Sequence, residues 1–194
     1  MNNIFEIVEN LKKGFVIAVK TDTVYGLICN ADNRNAVNKI YDIKKREKKK
    51  PLGIFVKDKN EIKKYVKSEN ITKEVMSIIE KWWPGALTII FEKKDGIYDY
   101  LTNGKETIGI RIPNDDFILK ILNLIDFPLA ETSCNISGEI PYKNSIEIKE
   151  KLGDMIDVII DGGEVEDNIA STVISVVGGR IDILRKGMID IKDV

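Results

Sequence analysis

The sequence predicts one α/β (α+β) domain in which a twisted, mixed and partly parallel sheet is flanked by helices. Early in the chain, short apolar runs typical of buried strands alternate with segments whose apolar residues recur at helical spacing. Later, strand-like runs follow one another directly, as on the two sides of Gly178-Gly179, which favours antiparallel pairs. No repeat, linker or low-complexity segment interrupts the 194 residues, so we expect a single domain over 1–194.

Six segments have apolar residues at the spacing of an amphipathic helix, and they are residues 4–11, 36–43, 62–66, 75–83, 117–125 and 146–152. Four of them have an N-cap candidate, a side chain that can accept hydrogen bonds from the first turn: Asn33, Thr72, Asp115 and Ser145. Gly14 and the Pro84-Gly85 pair are typical of helix ends, and they predict where the first and fourth helices stop.

Eight apolar runs predict strands, at residues 15–19, 24–29, 52–56, 86–91, 107–112, 155–160, 173–177 and 181–184. Pro128-Leu129-Ala130 predicts the end of a further short buried strand. Arg111 lies within the apolar alternation of its own strand. Its side chain therefore lies either on an exposed face of the sheet or in a site, and the pattern alone leaves both interpretations open.

The overall charge favours neither a nucleic acid nor a membrane as partner, because 30 Lys and Arg balance 31 Asp and Glu. The two cysteines, Cys29 and Cys134, are far apart and form no CxxC pair, which suits a reducing cytosol. The N-terminal segment lacks a basic stretch followed by an apolar one, and no run approaches membrane-spanning length. We therefore expect a cytoplasmic protein that has no signal peptide and no membrane association.

The chain contains no histidine, which excludes the commonest general base, the commonest transition-metal ligand and any Ser-His or Cys-His nucleophile pair. An enzyme of this composition must work mainly by positioning and electrostatics, with Lys and Arg neutralising negative charge. We expect that the protein itself binds no metal and that any metal arrives bound to the substrate.

Three polar segments interrupt the apolar pattern and are candidates for a site. Thr21-Asp22-Thr23 separates two strand-like runs, and it is either an ordinary turn or a set of hydroxyls at a sheet end. Residues 44–50 contain six basic residues between a helix and a strand, which form either a solvated helix end or a loop facing a polyphosphate. Residues 132–138 carry small hydroxyl and amide side chains, and they form either a tight turn or a floor under an anionic ligand.

Seven short motifs that include these segments follow one another along the chain. They are Thr21-Asp22-Thr23-Val24-Tyr25-Gly26-Leu27, Lys44-x-Arg46 with Pro51-Leu52, Trp83-Pro84-Gly85-x-Leu87-Thr88, Gly109-Ile110-Arg111-Ile112-Pro113, Thr132-Ser133-x-Asn135-x-Ser137-Gly138, Ser171-Thr172-Val173 and Leu184-Arg185-x-Gly187. Each motif is a weak signal alone. In this order they resemble the YrdC-like threonylcarbamoyl-AMP synthases, from about residue 15 to residue 187. The family's signature, Lys-x-Arg followed far downstream by Ser-x-Asn, has both halves here.

The resemblance implies the YrdC-like fold, with a concave substrate cavity, and a reaction. L-threonine and bicarbonate give a carbamate, whose oxygen attacks the α-phosphate of ATP to give L-threonylcarbamoyladenylate and pyrophosphate. ATP is then a substrate, with Mg²⁺ bound to it. The implied downstream partner is a threonylcarbamoyl transferase complex, which modifies an adenosine beside the tRNA anticodon, and tRNA itself is a further possible partner.

The resemblance also implies residue roles. Catalysis falls to Lys44, Arg46, Ser133 and Asn135. The nucleotide is assigned to Arg46, Lys50, Thr107, Asn135, Lys143 and Arg185, and threonine to Thr23, Arg111, Ser133 and Ser171. Within these sets, Arg111 is expected to pair bidentately with the threonine carboxylate, and Lys44 to stabilise charge on the carbamate or α-phosphate. Position 48 in the basic run is left open by the family pattern.

The chain departs from the family pattern at four positions. Lys20 and Glu47 stand where the family usually has proline, and Cys134 stands where it usually has alanine. Phe55 occupies a position where some long members carry a histidine that helps to hold threonine, so that contact is in question here. The chain ends soon after Gly187, so we expect the short form without the extra C-terminal domain of the long members.

Two alternative functions fit the same fold. In the first, a non-catalytic module binds double-stranded RNA or tRNA through phosphate contacts of residues 44–50. The chain also matches the family pattern at the uncharged residues Ser133, Asn135 and Ser171. These matches argue against RNA binding, because contacts to an RNA backbone do not require them. The second is a carbamoyl-transfer domain of hydrogenase maturation, which usually lies inside a much longer chain.

Overall fold

The computed structural model describes residues 3–47 and 49–190, so Lys48 lies outside the described residues. Over these ranges one sheet contains nine strands: β1 (Ile17–Lys20), β2 (Tyr25–Asn30), β3 (Gly53–Phe55), β4 (Leu87–Glu92), β5 (Thr107–Arg111), β6 (Leu129–Ser133), β7 (Val158–Ile159), β8 (Thr172–Ser175) and β9 (Asp182–Arg185). The α-helices of the same ranges are α1 (Ile4–Lys12), α2 (Arg34–Ile43), α3 (Ile62–Tyr65), α4 (Lys73–Trp82), α5 (Asp99–Thr102), α6 (Asp116–Leu124) and α7 (Ser145–Leu152).

The strands lie in the order β7-β1-β2-β6-β3-β5-β4-β8-β9. The β1–β7, β3–β5 and β4–β8 pairs are parallel, and the five other neighbouring pairs are antiparallel. The predicted mixed, partly parallel sheet is therefore confirmed. The predicted turn at Gly178-Gly179 is confirmed as well, since it lies between the antiparallel strands β8 and β9.

Apolar layers cover both faces of the sheet, because alternate residues of a strand point to opposite faces. Along β1, Ile17 and Val19 pack with α1 and α6, whereas Ala18 belongs to the larger cluster that contains the buried face of α2. Strands whose apolar residues alternate and helices with one apolar face therefore account for the layered arrangement.

The layer formed by α1 and α6 covers only part of its face of the sheet. Phe55 of β3 and Leu129 of β6 are paired in register and belong to this layer. Two residues away along the same strands lie Gly53 and Glu131, which are also paired and line a cavity instead. The apolar layer thus ends where the cavity begins.

The predicted N-caps are confirmed for three helices, where a side-chain oxygen accepts hydrogen bonds from first-turn N–H groups: Asn33, Thr72 and Asp115. The prediction for Ser145 is wrong. Asn144 caps α7, because its extended backbone lets Oδ1 accept from the Glu147 N–H at 2.9 Å. Ser145 instead donates its hydroxyl to Asp161 Oδ1 at 2.9 Å. None of the described helices is long and apolar enough to cross a membrane.

Larger differences from the predictions concern β6, β7 and α5. β6 begins at Leu129, where the sequence predicted a strand end, and its polar residues stay extended because β2 pairs with the whole strand and β3 with its first three residues. The strand predicted over 155–160 is limited to β7, since residues 153–155 form a 3₁₀ turn. The short helix α5 was not predicted; it lies between Tyr98 and Asn103, whose φ angles of 50° and 53° are left-handed.

Candidate active site

A cavity of about 270 Å³ opens on the sheet where neighbouring strands carry glycine. Gly53 of β3 pairs with Gly109 of β5 on one side and with Glu131 of β6 on the other, and Gly26 of β2 pairs with Ser133. Because these three glycines carry no side chains, hydrogen-bonded backbone forms part of the cavity floor. Side-chain atoms of Glu131 and Ile90 reach over Gly53 and Gly109, so the glycines make room above the sheet that these side chains share with a ligand.

The cavity brings together six of the predicted site residues: Thr23, Arg46, Arg111, Ser133, Ser171 and Arg185. Five others do not line it: Lys44, Lys50, Thr107, Asn135 and Lys143. The first set contains the three guanidinium groups that face the cavity, together with hydroxyl groups at its edge. The arrangement is suited to binding anions.

Arg111 is held at the end of β5 by contacts on several sides, with only 3% of its surface exposed. Its Nη2 forms an ion pair with Asp22 Oδ1 at 2.6 Å, Nη1 donates to Thr23 Oγ1 at 3.1 Å, and Nε donates to the Gly85 carbonyl at 2.9 Å. The guanidinium also lies 5.7 Å from the centre of the Phe55 ring. The interpretation of Arg111 as an exposed strand residue is therefore wrong.

The guanidinium of Arg111 still has capacity for a ligand. It carries five N–H donors, and three of them have acceptors among the described residues. Thr21 fixes the neighbouring hydroxyl, because its Oγ1 lies 3.1 Å from Thr23 Oγ1 and donates to the Val24 carbonyl at 2.7 Å. The turn predicted at Thr21-Asp22-Thr23 is thus both a turn and the support of a cation at the cavity.

The two halves of the family signature contact each other beside the cavity. Lys44 Nζ donates to the carbonyl of Ser133 and, at 2.8 and 2.9 Å, to the carbonyl and Oδ1 of Asn135. Ser133 Oγ also donates to Asn135 Oδ1, at 2.6 Å, and Asn135 Nδ2 donates to the carbonyls of Ile136 and Glu139. Because all three ammonium hydrogens are used in this way, Lys44 fixes the chain where β6 ends at Ser133 and the loop begins.

Lys44 is 1% exposed, and its surroundings have opposing effects on its charged form. Burial and, next, the positive charge of Arg46 lower the pKa of Lys44 to about 7. The three oxygen acceptors favour the ammonium form in return. A change of pH near neutrality is therefore able to alter the hydrogen bonds that hold the loop.

Arg46 is directed towards the cavity by the end of α2. The backbone N–H of Arg46 donates to the Tyr41 carbonyl at 2.9 Å, and the backbone N–H of Lys45 donates to the Asp42 carbonyl at 3.1 Å. With Lys45 at a left-handed φ of 46°, these two bonds form a Schellman motif, which reverses the chain at a helix C-terminus. The basic run therefore leaves the helix at this point instead of extending it.

Arg46 and Arg185 are both oriented by main-chain carbonyls. Arg46 donates from Nε to Lys50 and from Nη2 to Pro51, each at 2.9 Å. Arg185 donates from Nε and Nη2 to the Ser171 carbonyl at 3.1 and 2.9 Å, and from Nη2 to Ser171 Oγ at 3.1 Å. Burial lowers the pKa of both groups, but a guanidinium stays charged at any physiological pH. Neither arginine forms an ion pair within the described residues, so their charges remain available.

Glu131 is the only carboxylate residue among those that line the cavity. Burial raises its pKa, against the influence of four cations, which in order of effect are Arg111, Arg185, Arg46 and Lys44. With three guanidinium groups against one carboxylate at its wall, and Asp22 already paired, the cavity carries excess positive charge. Among the described residues, no group of three or more His, Cys, Asp or Glu is placed to hold a metal.

The remaining predicted residues lie outside the cavity wall. Lys50 is exposed, and its carbonyl serves as an acceptor for Arg46. Thr107 begins β5, two residues before Gly109. Lys143 is exposed, and its N–H donates to Glu147 Oε2 at 2.9 Å. Their assignment to the nucleotide remains a prediction.

Sequence reasoning missed three residues of the site: Asp22, Thr88 and Glu131. Asp22 and Thr88 lie inside two of the seven sequence motifs but were assigned no role, although Asp22 pairs with Arg111 and Thr88 Oγ1 lies 2.8 Å from Ser171 Oγ. Glu131 had one available signal, which was a lone carboxylate between the apolar start of a strand and its hydroxyl-bearing end.

The chain is similar to proteins of a known family. The family model of Sua5, YciO and YrdC, described as "Telomere recombination", matches residues 9–187. A relative in Methanocaldococcus jannaschii, named "Putative threonylcarbamoyl-AMP synthase", is 42% identical over 191 residues, which are 96% of this chain and 88% of the relative.

Two solved structures have the same fold. P. abyssi Sua5 complexed with L-threonine has a TM-score of 0.90 and 30% identity, with 98% of this chain and 56% of that chain covered. This chain therefore spans little more than half of the P. abyssi protein. E. coli YciO has a TM-score of 0.88 and 26% identity, with 97% and 91% covered. From the match over residues 9–187, the chain belongs to the Sua5/YciO/YrdC family.

Proposed function

We propose that this protein is a threonylcarbamoyl-AMP synthase, a nucleotidyltransferase that forms threonylcarbamoyl-AMP and pyrophosphate from L-threonine, bicarbonate and ATP. The observation that carries the proposal is the convergence of Arg46, Arg111 and Arg185 on one cavity whose wall holds a single carboxylate residue. Such a site suits a substrate pair with a carboxylate at one end and phosphates at the other. The names of the relatives and the L-threonine in the P. abyssi complex support the same function.

We assign threonine to the end of the cavity around Arg111. The two unused N–H donors of this guanidinium can hold a carboxylate, and the bonds to Asp22 and Thr23 fix its orientation. Hydroxyl oxygens of Ser133 and Ser171 also line the cavity and can bond to the polar groups of the amino acid. Phe55 stands at the position of the family's occasional histidine, and its buried ring supports the guanidinium of Arg111.

We assign the phosphates of ATP to Arg46 and Arg185, whose charges are unpaired among the described residues. The carbamate oxygen attacks the α-phosphorus while the bond to pyrophosphate breaks, and no proton transfer is required in that step. Preorganised cations stabilise the charge that shifts to the leaving group. Lys44 and Asn135 do not line the cavity, and they contribute by holding Ser133 in place.

The remaining partners belong to the same proposal. Mg²⁺ enters bound to ATP, as the positive charge of the wall suits the anionic nucleotide complex rather than a free cation. The product is handed to a threonylcarbamoyl transferase complex that acts on tRNA. The two buried, free cysteines suit the reducing cytoplasm.

The RNA-binding alternative receives less support from the arrangement of charge. Contacts to an RNA backbone use cations on an exposed surface, such as Lys45 and Lys49. Arg46, Arg111 and Arg185 instead line a concave site on the sheet, together with neutral hydroxyl groups.

Pyrophosphate release from ATP tests the proposed function, measured with and without L-threonine and bicarbonate. We expect release only when all three substrates are present, with threonylcarbamoyl-AMP identified by mass spectrometry. Release that is independent of threonine, or a lack of release with all substrates present, would contradict the proposal.

A further inference from the structure

Glu131 places a carboxylate over the glycine floor of the cavity. It is the third residue of β6 and pairs in register with Gly53 of β3. A Cβ at position 53 would lie only 2.7 Å from Glu131 Oε1, so the side chain of Glu131 lies across the space that this glycine leaves empty. The absence of a side chain at Gly53 thus allows the carboxylate to reach over β3 towards the strand of Arg111.

This carboxylate has no protein partner among the described residues. Asp22, the other acid of the site, is bound to Arg111 and to the Asn114 N–H. Glu131 accepts no side-chain hydrogen bond and forms no ion pair within 4 Å in residues 3–47 and 49–190. The cations around it act through space. A half-buried carboxylate that lacks a protein partner beside an anion site has no evident structural role, and its oxygens remain open to a cationic group of the ligand.

The proposed reaction supplies such a group and needs a proton acceptor. An α-amino group is mostly protonated at neutral pH, and an ammonium nitrogen has no lone pair with which to attack carbon. Without histidine in the chain, a protein group that accepts this proton must be another side chain. Lys44 is unsuited to this role, because its nitrogen is surrounded by three acceptors from Ser133 and Asn135 and lies outside the cavity wall.

We propose that Glu131 binds the ammonium group of threonine and accepts one of its protons before carbamate formation, a role that rests on the proposed function. The freed amine then attacks the carbon of bicarbonate, so that an N–C bond forms and a C–O bond breaks. The leaving hydroxide takes a second proton from nitrogen and departs as water. Glu131 returns its proton to solvent, and the carbamate keeps one N–H.

Nucleotide binding strengthens this proton acceptor. Arg46 and Arg185 favour the ionised form of Glu131 in the free protein. Phosphates bound to the same arginines offset their charge, which increases the proton affinity of the carboxylate. Proton removal from threonine is therefore more favourable once ATP is bound.

The test compares Glu131→Gln with the wild-type protein in pyrophosphate release between about pH 6.5 and 9.5. Glutamine keeps the shape of the side chain but accepts no proton. Near pH 7 we expect kcat/KM for threonine to fall on the order of 10²-fold, as is typical for the loss of a general base. The deficit should narrow as pH rises, since free threonine then increasingly arrives as the amine. Glu106→Gln, at an exposed position, is the matched control and should behave like wild type.

Other outcomes separate this inference from the proposed function. If the wild-type protein releases pyrophosphate with threonine but the deficit of Glu131→Gln is absent or equal at every pH, the role of Glu131 is wrong and the synthase function stands. If the wild-type protein fails, the proposed function itself fails. Should Glu131→Gln not fold by circular dichroism, Glu131→Ala with and without formate replaces it. A gain of rate with formate supports the role, and no gain overturns it.

Discussion

Lys44 Nζ and Asn135 Oδ1 lie 2.9 Å apart, although 91 residues separate them in sequence. Each belongs to one half of the Lys-x-Arg and Ser-x-Asn signature. Residues of the signature therefore contact one another inside the protein, in addition to supplying side chains that face a ligand. Its lysine and asparagine hold the loop in place. Arg46, two residues after the lysine, and Ser133, two residues before the asparagine, line the cavity.

Lys44→Met should change how stability depends on pH. In the folded protein the pKa of Lys44 is about 7, below the 10.5 of an unperturbed lysine, because burial and Arg46 disfavour its charge. Between these values the unfolded chain binds more protons, so Lys44 makes the free energy of unfolding rise with pH, by at most about 1.4 kcal/mol per unit.

Chemical denaturation between about pH 6 and 9 measures this effect as the difference between wild type and variant. Lys44→Met should lack the rise. Lys63→Met, at an exposed position of α3, should keep the wild-type slope. Parallel curves for wild type and Lys44→Met would show that Lys44 does not titrate in this range.

Arg111→Ala should impair the binding of threonine more than that of ATP. The guanidinium is the only cation bound to the Thr21–Thr23 turn in the described structure, and a charge-assisted pair to a carboxylate is worth about 1.5–3 kcal/mol. We expect the threonine KM to rise on the order of 10- to 100-fold, and calorimetry to give a nearly unchanged affinity for ATP. Asp22→Asn should produce a smaller change in the same direction. Loss of ATP binding with intact threonine binding would reverse the assignment.

Arg46→Ala should lower kcat/KM on the order of 10²–10³-fold, as expected for the loss of a preorganised contact to the transferring phosphate. Arg46→Lys should recover little, because an ammonium cannot replace the planar fork held by Lys50 and Pro51. Because the family pattern leaves position 48 open, we expect Lys48→Ala to cost at most a few-fold, although Lys48 lies outside the described ranges.

Lys49 is the matched control within the described part of the basic run, since its side chain is exposed. Lys49→Ala should cost at most a few-fold in the same assay, because an exposed charge is screened by salt. Equal losses at positions 46 and 49 would instead indicate a diffuse phosphate-binding surface and favour the RNA-binding alternative.

Cys134→Ala should retain activity to within about tenfold, or roughly 1.4 kcal/mol of transition-state stabilisation. The thiol is fully buried, and burial raises its pKa to about 12, so it does not form the thiolate that a nucleophile needs. Steady-state kinetics measures the activity, and thermal unfolding should show a small loss from the removed sulfur. A larger loss of activity with unchanged folding would indicate a chemical role.

The sequence predicted most elements because their signals are local. Apolar periodicity located the strands and most helices, and single side chains such as Asn33 and Thr72 located helix starts. Prediction from the sequence failed where pairing with neighbouring strands determines the conformation of a segment. Residues 131–133 are polar enough for a loop, yet β2 pairs with all three of them, and β3 also pairs with Glu131, so they stay extended.

The site was predictable to the extent that family motifs carry it. Six assigned residues line one cavity, but the contact of Lys44 with Asn135 depends on how closely α2 approaches the end of β6, which no local pattern encodes. Glu131 was missed for a related reason. The lone carboxylate of the strand is a weak signal until its partner in register is known to be Gly53.

The glycine floor has a consequence for where this protein can move when it binds substrates. Gly26, Gly53 and Gly109 lie within a continuous ladder of paired strands, which is the part of a sheet whose amides exchange most slowly with solvent. Ligands therefore meet a surface that is already formed, and little ordering entropy is lost there. The rearrangement that accompanies binding falls on the polar turns around the cavity, so deuterium uptake should fall at 21–24 and 132–138 while that of β5 stays unchanged.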